Sequence, residues 1–215
     1  ITIVTDIDTY KRFKPMGIIN YKLVKAQTTN TRSYRGKKIA WYNKERALAY
    51  EHSPYDTTIL MDCDYFVFSS ALLELSKTKF DVLLHDKVKD LTGKGMILGN
   101  DESTLPLVWA TVTLFRKSEK AKAIFNLIKH IQEYYVHYKN LYRIKFANYR
   151  NDYAFAIALH QLNLGNTIPN PMGMLADDVD VIDSDSDGIV FKYKNNVNFT
   201  SGLDVHIMDK EWCNG

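Results

Sequence analysis

The chain has 215 residues and a formal net charge of +3, with 46% hydrophobic and 25% charged residues. That length suits one α/β domain, and that balance excludes wholesale disorder. A charge of +3 is too small to argue by itself for nucleic-acid binding.

The sequence opens on Ile1 rather than Met and enters a short buried strand over residues 1–5, with Asp6 and Asp8 at its carboxyl end. A second extended piece is expected over residues 18–24, and residues 30–38, which lack apolar periodicity, read as a loop. Cationic side chains from Lys11 to Arg46 crowd this first fifth, a face suited to phosphates or anionic polymers or simply to solvent. Good helix formers over residues 39–51 predict a helix stopped at Ser53-Pro54. Thr57-Thr58-Ile59-Leu60-Met61 is a β-branched, apolar strand that runs into Asp62-Cys63-Asp64 and is expected to continue through Phe68.

Further along, residues 72–75 read as a short helix, and residues 80–84 and 109–115 as strands. Residues 119–138 form a long amphipathic pattern with Ala123, Ile124, Leu127, Ile128 and Ile131 on one side and Ser118 as N-cap. Residues 152–164 predict another helix, stopped by Gly165, and residues 187–193 and 205–208 predict strands. Alternation of strands with helices argues for a mostly parallel sheet covered on both faces. Gly93-Lys94-Gly95 lacks the spacing of a phosphate-binding loop and reads as a turn. Asp183-Ser184-Asp185-Ser186-Asp187-Gly188 resembles half of a calcium loop, but Lys194 stands where the bidentate Glu belongs, so an acidic turn is the better account.

Cys63 and Cys213 are the only cysteines, so a disulfide framework is not expected; Cys63 reads as a buried thiol, and a reducing, cytoplasmic setting fits. No apolar run reaches the 18 residues of a membrane-spanning helix. The sequon at Asn198 is a chance-level match.

The chemistry concentrates at Asp62 and Asp64. Side chains at i and i+2 of a strand project to one side, and two carboxylates so close repel unless a cation joins them. A hard divalent ion, Mg²⁺ or Mn²⁺, resolves the conflict and keeps positions open for phosphate oxygens. Ligands of open α/β sheets bind beyond the carboxyl ends of strands, where this pair falls.

The segment Thr58-Ile59-Leu60-Met61-Asp62-Cys63-Asp64-Tyr65-Phe66-Val67 resembles the DxD strand of GT-A glycosyltransferases, particularly family 8. The resemblance implies a single GT-A domain over residues 1–215, α/β with a Rossmann-like, mostly parallel sheet flanked by helices. Residues 1–5 would be its second strand, so the first strand is expected to be missing. It implies a nucleotide-diphosphate sugar as donor, Mn²⁺ or Mg²⁺ as cofactor, and retention of anomeric configuration. By the same likeness Asp64 chelates the metal, Asp62 meets the metal or the ribose, and Lys44 and Arg46 approach the donor. Asn151-Asp152-Tyr153 looks like the acidic dipeptide that reaches the donor sugar or the acceptor hydroxyl, although a helix start also explains Asp152. His206, with Lys210 and Trp212 after it, resembles a late motif that gives the third metal ligand and a diphosphate contact; the spacing departs from the family, since its Gly is absent and Glu211 replaces its Pro.

The acceptor stays open between a glycan and a nucleic acid. One alternative is a haloacid-dehalogenase-type phosphatase with Asp62 as nucleophile, Asp64 as general acid and Asp177-Asp178 as its late metal site, although Tyr65-Phe66 stand where its Gly-Thr belongs. The other is a sugar- or nucleic-acid-binding remnant that keeps the fold without turnover.

Overall fold

In the computed structural model, a buried strand over Trp109–Arg116 is the centre of one three-stranded sheet. The structure describes residues 2–5, 7–12, 20–24, 30–34, 37–41, 44–98, 105, 107–165 and 167–209. The elements in the first part are β1 (Thr2–Thr5), α1 (Ile7–Arg12), β2 (Asn20–Leu23), β3 (Asn30–Tyr34), β4 (Lys37–Trp41), a 3₁₀ turn (Glu45–Leu48) and α2 (Ala49–His52). There follow β5 (Thr57–Met61), β6 (Tyr65–Phe66), α3 (Ala71–Ser76), β7 (Val82–His85), β8 (Lys87–Asp90), β9 (Gly95–Leu98) and β10 (Trp109–Arg116). The last part holds α4 (Glu119–Glu133), α5 (Tyr135–Leu141), α6 (Asn151–Gln161), β11 (Met172–Leu175), β12 (Asp180–Ser184), β13 (Gly188–Tyr193), β14 (Asn196–Ser201) and β15 (Val205–Ile207).

The protein is mixed α/β, but its described sheets are mostly antiparallel. β10 lies between β5 and β7 and runs against both. A second sheet has the order β6-β15-β11-β8-β9, parallel only at β15-β11 and β11-β8. β12-β13-β14 is an antiparallel meander, β3-β4 a hairpin, and β1-β2 a parallel pair. The expected mostly parallel sheet is therefore not what these strands form. The physical reason lies in β10, whose interior residues 110–115 are all buried. A strand covered on both faces gives an unbroken apolar run whichever way its neighbours point.

Alternation along the strands divides the core, and a register shift between Trp109 and Thr113 puts Ala110 on the side of Phe115. Val82 and Leu84 of β7, with Ala110 and Phe115 of β10, face α4 and α6. Leu83, Val112 and Leu114 face the second sheet, where Ile168, Met172 and Met174 receive them. A third cluster, including Leu175, Ile189, Phe191, Val205 and Ile207, joins the mixed sheet to the meander. On the helical side an aromatic chain runs through Phe115, Phe125 and Phe155, with centroids 4.9 and 5.6 Å apart and edge-on geometry.

Several local expectations change. Residues 30–41, read in part as a loop and in part as a helix, form the β3-β4 hairpin, paired from Asn30↔Trp41 to Tyr34↔Lys37. Helical structure starts only at Glu45, because Ile39 and Trp41 are better served by strand pairing than by the weak local preference for helix. The long helix breaks at Tyr134 into α4 and α5, and its buried stripe is Ala121, Ile124, Phe125, Ile128 and Ile131; Ala123 is exposed. Ser118 does cap it, its hydroxyl accepting from Ala121 N at 3.1 Å and donating to Asp81 at 2.7 Å. Gly93 and Gly95 take φ near +90° in the β8-β9 turn, a conformation open to glycine. The acidic segment before β13 is a turn in which Asp185 accepts from the backbone of Asp187 and Gly188. Cys63 is exposed rather than buried, and Cys213 lies outside the described residues.

Candidate metal centre

β5 ends at Met61, and the chain does not continue as one strand. It turns through Asp62-Cys63-Asp64, closed by Tyr65 N donating to Asp62 O at 3.2 Å, and enters β6 in the second sheet. That turn exposes Cys63 at its apex. It also brings the two aspartates together without the i, i+2 geometry of a strand. Asp62 N donates to Thr111 O of β10 at 3.0 Å, which fixes the start of the turn against the central strand.

His206 is delivered by β15, which pairs with β6 in the register His206↔Tyr65 and Val205↔Phe66. Ile207 N donates to Asp64 O at 2.9 Å, so the histidine strand is stitched to the aspartate turn itself. His206 Nε2 lies 3.5 Å from Asp64 Oδ1, and its Nδ1 lies 3.4 Å from the Thr111 hydroxyl. Asp62, Asp64 and His206 each present one ligand atom, all within 4.8 Å of one another, and they are the sole such group among the described residues. Asp62 is 44% exposed at its side chain, Asp64 6% and His206 11%, so the group has one open side.

Octahedral bonds of about 2.1 Å place neighbouring ligand atoms about 3 Å apart and opposite ones about 4.2 Å apart. The Asp64–His206 spacing meets this, and the exposed Asp62 needs only a small side-chain movement. Two carboxylates with one imidazole fit Mn²⁺ well; Mg²⁺ accepts the oxygens more readily than the nitrogen. The residues present therefore fit a divalent ion.

Asp204 braces the site from behind. It is buried, and its Oδ1 accepts from Phe68 N at 2.9 Å and Ser69 N at 2.8 Å, while Tyr65 Oη donates to Oδ2 at 3.3 Å. Burial first, then the adjacent Asp204 charge, holds the Tyr65 phenol well above its ordinary range.

Arg46, on the 3₁₀ turn, donates through Nη2 to Asp62 Oδ1, and its Nη1 is buried with no hydrogen-bond partner among the described residues. Arg46 thus pairs with the aspartate motif, while Glu51 bonds to Lys129. A carboxylate offers about four lone-pair positions, enough for Arg46 and an ion together. Lys44 is half-buried near Gln132, whose side chain donates to its carbonyl at 3.1 Å.

Asp152 opens α6, but both of its oxygens are engaged. Oδ1 accepts from Ala110 N at 2.8 Å and Oδ2 from Arg150 Nη2 at 2.8 Å. Asn151 accepts from the buried Tyr149 hydroxyl at 3.0 Å. Burial raises the Tyr149 phenol above its ordinary range, with the Arg46 charge opposing and the Asp152 charge adding to the rise. Lys210 and Trp212 lie outside the described residues.

Sequence reasoning missed three groups at the same sheet edge. β5 and β7 both run against β10, so their carboxyl ends lie together, and Leu60, Thr113 and Leu84 form one row across them. His85 and Asp86 end β7 as Asp62 ends β5, and Trp109 pairs with His85. His85 Nε2, Asp86 Oδ1 and Trp109 Nε1 are all buried without a hydrogen-bond partner among the described residues. Burial pushes the His85 imidazole down to about 4, against the Asn170 carbonyl that lies 3.0 Å from its Nδ1. The signal that could have found them was the polar His85-Asp86 pair directly after an apolar strand, the same pattern that singled out Asp62.

Comparison of the chain with protein-family models, with curated proteins and with solved structures finds no match. Among the described residues no helix is long and apolar enough to cross a membrane.

Proposed function

We propose that the protein is a metal-dependent glycosyltransferase of GT-A type, moving a sugar from a nucleotide-diphosphate sugar to an acceptor hydroxyl. The observation that carries this reading is the convergence of Asp62, Asp64 and His206 at the carboxyl edge of β5. The GT-A architecture is part of the proposal. The parallel β1-β2 pair and the common direction of β5 and β7 support it.

In this reading Asp62, Asp64 and His206 hold Mn²⁺ or Mg²⁺. When bound, the ion supplies positive charge to the leaving nucleoside diphosphate. Arg46 holds Asp62 in place and offers its buried Nη1 to a diphosphate oxygen, adding a fixed charge that costs no reorganisation. Asp152 keeps Ala110 and Arg150 in register beside the site, a positioning role consistent with both of its oxygens being occupied. Asp86 and Trp109 offer an acceptor and a donor at the same edge, suited to sugar hydroxyls. The acceptor molecule, glycan or nucleic acid, is open in this proposal.

Calorimetric titration with Mn²⁺, alone and with a panel of nucleotide sugars, tests it. Wild-type protein is expected to bind the ion, and the nucleotide sugar only in its presence. Asp64→Asn and His206→Ala should weaken Mn²⁺ binding by about 100-fold or more, beyond the 10- to 100-fold typical of outer-shell changes. Wild-type protein that binds neither ion nor nucleotide sugar sinks the proposal. The phosphatase alternative needs Asp177-Asp178 in the metal group, and neither belongs to the cluster found among the described residues; turnover of a simple phosphate ester without nucleotide sugar would revive it.

A further inference from the structure

Thr111 stands where regular alternation along β10 would not put it. Val112 and Leu114 face the second sheet, and Phe115 faces the helices. Counted back along a regular strand, Thr113 and Thr111 belong with Phe115 on the helical side, and Ala110 belongs with Val112. At both Thr111 and Ala110 the structure reverses this. Ala110 packs in the helical cluster, while the Thr111 hydroxyl lies 3.4 Å from Nδ1 of His206, a residue of the second sheet. Trp109, two residues earlier, packs on that side as well. The cause is the register shift that the β7-β10 pairing makes between Trp109 and Thr113. An irregularity of this kind re-aims side chains that the pleat would send to the other face.

The re-aimed threonine touches two of the three residues that meet at the aspartate turn. Its carbonyl accepts from Asp62 N at 3.0 Å, and its hydroxyl meets His206 Nδ1. The third residue, Asp64, lies 3.5 Å from the other nitrogen of the same ring, Nε2. Thr111 is 6% exposed, so bulk water competes little for either contact. A neutral imidazole carries one proton, and the nitrogen that lacks it is the one able to bind a cation. For Nε2 to offer its lone pair beside Asp64, the proton has to sit on Nδ1, where it needs an acceptor. The Thr111 hydroxyl is in reach of that proton.

We infer, on the reading of Asp62, Asp64 and His206 as a metal centre, that Thr111 is its positioning residue. The hydroxyl accepts from His206 Nδ1–H and so presents Nε2 to a divalent cation, while the carbonyl of the same residue holds the start of the aspartate turn. Thr111 itself touches no ion. Histidines that bind metals usually donate their other ring N–H to a carboxylate, a backbone carbonyl or water. Here the nearby carbonyl is committed to Asp62 N, and the hydroxyl takes that part. Which substrate the centre serves does not enter, and the test reads ion binding rather than sugar transfer.

Calorimetric Mn²⁺ titration of Thr111→Val, Thr111→Ser, His206→Ala and the Thr111→Val/His206→Ala double variant decides it. Valine is close to threonine in shape, keeps the backbone carbonyl and removes the acceptor. Thr111→Val should therefore bind Mn²⁺ about tenfold more weakly, the lower end of outer-shell losses. Thr111→Ser restores a hydroxyl and should recover most of that loss. In the His206→Ala background Thr111→Val should cost nothing further, because the ring it orients is gone. A threonine that only packed β10 or fixed the Asp62 turn would cost the same with or without the histidine, and that result overturns the inference. So does wild-type affinity in Thr111→Val, or a Thr111→Ser that binds no better than Thr111→Val. Each of these three results leaves the metal centre standing. Wild-type protein that binds no Mn²⁺ removes the centre and the role of Thr111 with it.

Discussion

Replacing Asp204 by Ala should separate the frame of the candidate metal centre from its ligands. The carboxylate is buried and accepts two short backbone bonds, from Phe68 N and Ser69 N, and a longer one from Tyr65 Oη. Hydrogen bonds to a charged group contribute about 1.5–3 kcal/mol each, and the 3.3 Å contact adds little. Two good bonds thus amount to roughly 3–6 kcal/mol, and relief from keeping a carboxylate out of water offsets part of this. A net loss of about 3 kcal/mol is expected. For a chain of this length it lowers the melting temperature by roughly 6–12 °C. Because His206 follows two residues later, Mn²⁺ affinity should also fall by about tenfold, as it does when an outer-shell partner is removed. Asp204→Asn keeps a carbonyl for Phe68 and Ser69 and should recover most of both losses. Thermal melts followed by circular dichroism, with Mn²⁺ titration of the same samples, measure the two effects. A melting point within about 2 °C of the parent, with unchanged ion binding, refutes the reasoning.

Arg46→Gln removes the cation that competes for Asp62, so it should tighten Mn²⁺ alone several-fold while weakening the nucleotide sugar; calorimetry with each ligand checks the opposite signs. His85 is held neutral, down to about 4 against an ordinary value near 6.5, so the unfolded chain takes up the proton first as pH falls. Stability should therefore be full above pH 6.5 and drop by up to about 3 kcal/mol toward pH 4, and urea melts across that range should flatten in His85→Gln. Ile128→Ala empties a fully buried site on α4 and should cost about 2–5 kcal/mol in urea unfolding. Ser118→Ala removes the α4 cap and its bond to Asp81 and should cost about 1 kcal/mol in the same assay.

Much of the local structure was legible because local chemistry dictates it. The β-branched run before Asp62, the short helix at Ala71, the Ser118 cap and the turn before Gly188 each rest on a few neighbouring residues. At Gly188 an added Cβ would meet the Thr200 carbonyl at 2.0 Å, so the glycine serves close strand approach rather than an ion loop. What was not legible depends on partners distant in sequence. Strand direction at β10 is hidden by its burial on both faces, and the hairpin over residues 30–41 is weakly apolar, its pairing set by register rather than pattern. The three metal-competent residues were named from the sequence, but the reason they meet was not. The aspartates converge through a turn that leaves β5, and Arg46 reaches them from an element expected to be ordinary helix. Asp204 gave no short motif, since its role comes from its place just before β15, whereas the His85-Asp86 pair after β7 was a signal left unread.

The stitching of β15 to the aspartate turn has a consequence for synthesis. Asp62 and Asp64 emerge from the ribosome well before His206 and the Ile207 amide that secures the turn. A partly made or C-terminally clipped molecule would carry the acidic pair yet lack the nitrogen ligand and the strand that aligns it. Ion capture at this turn would then report that β15 is in place.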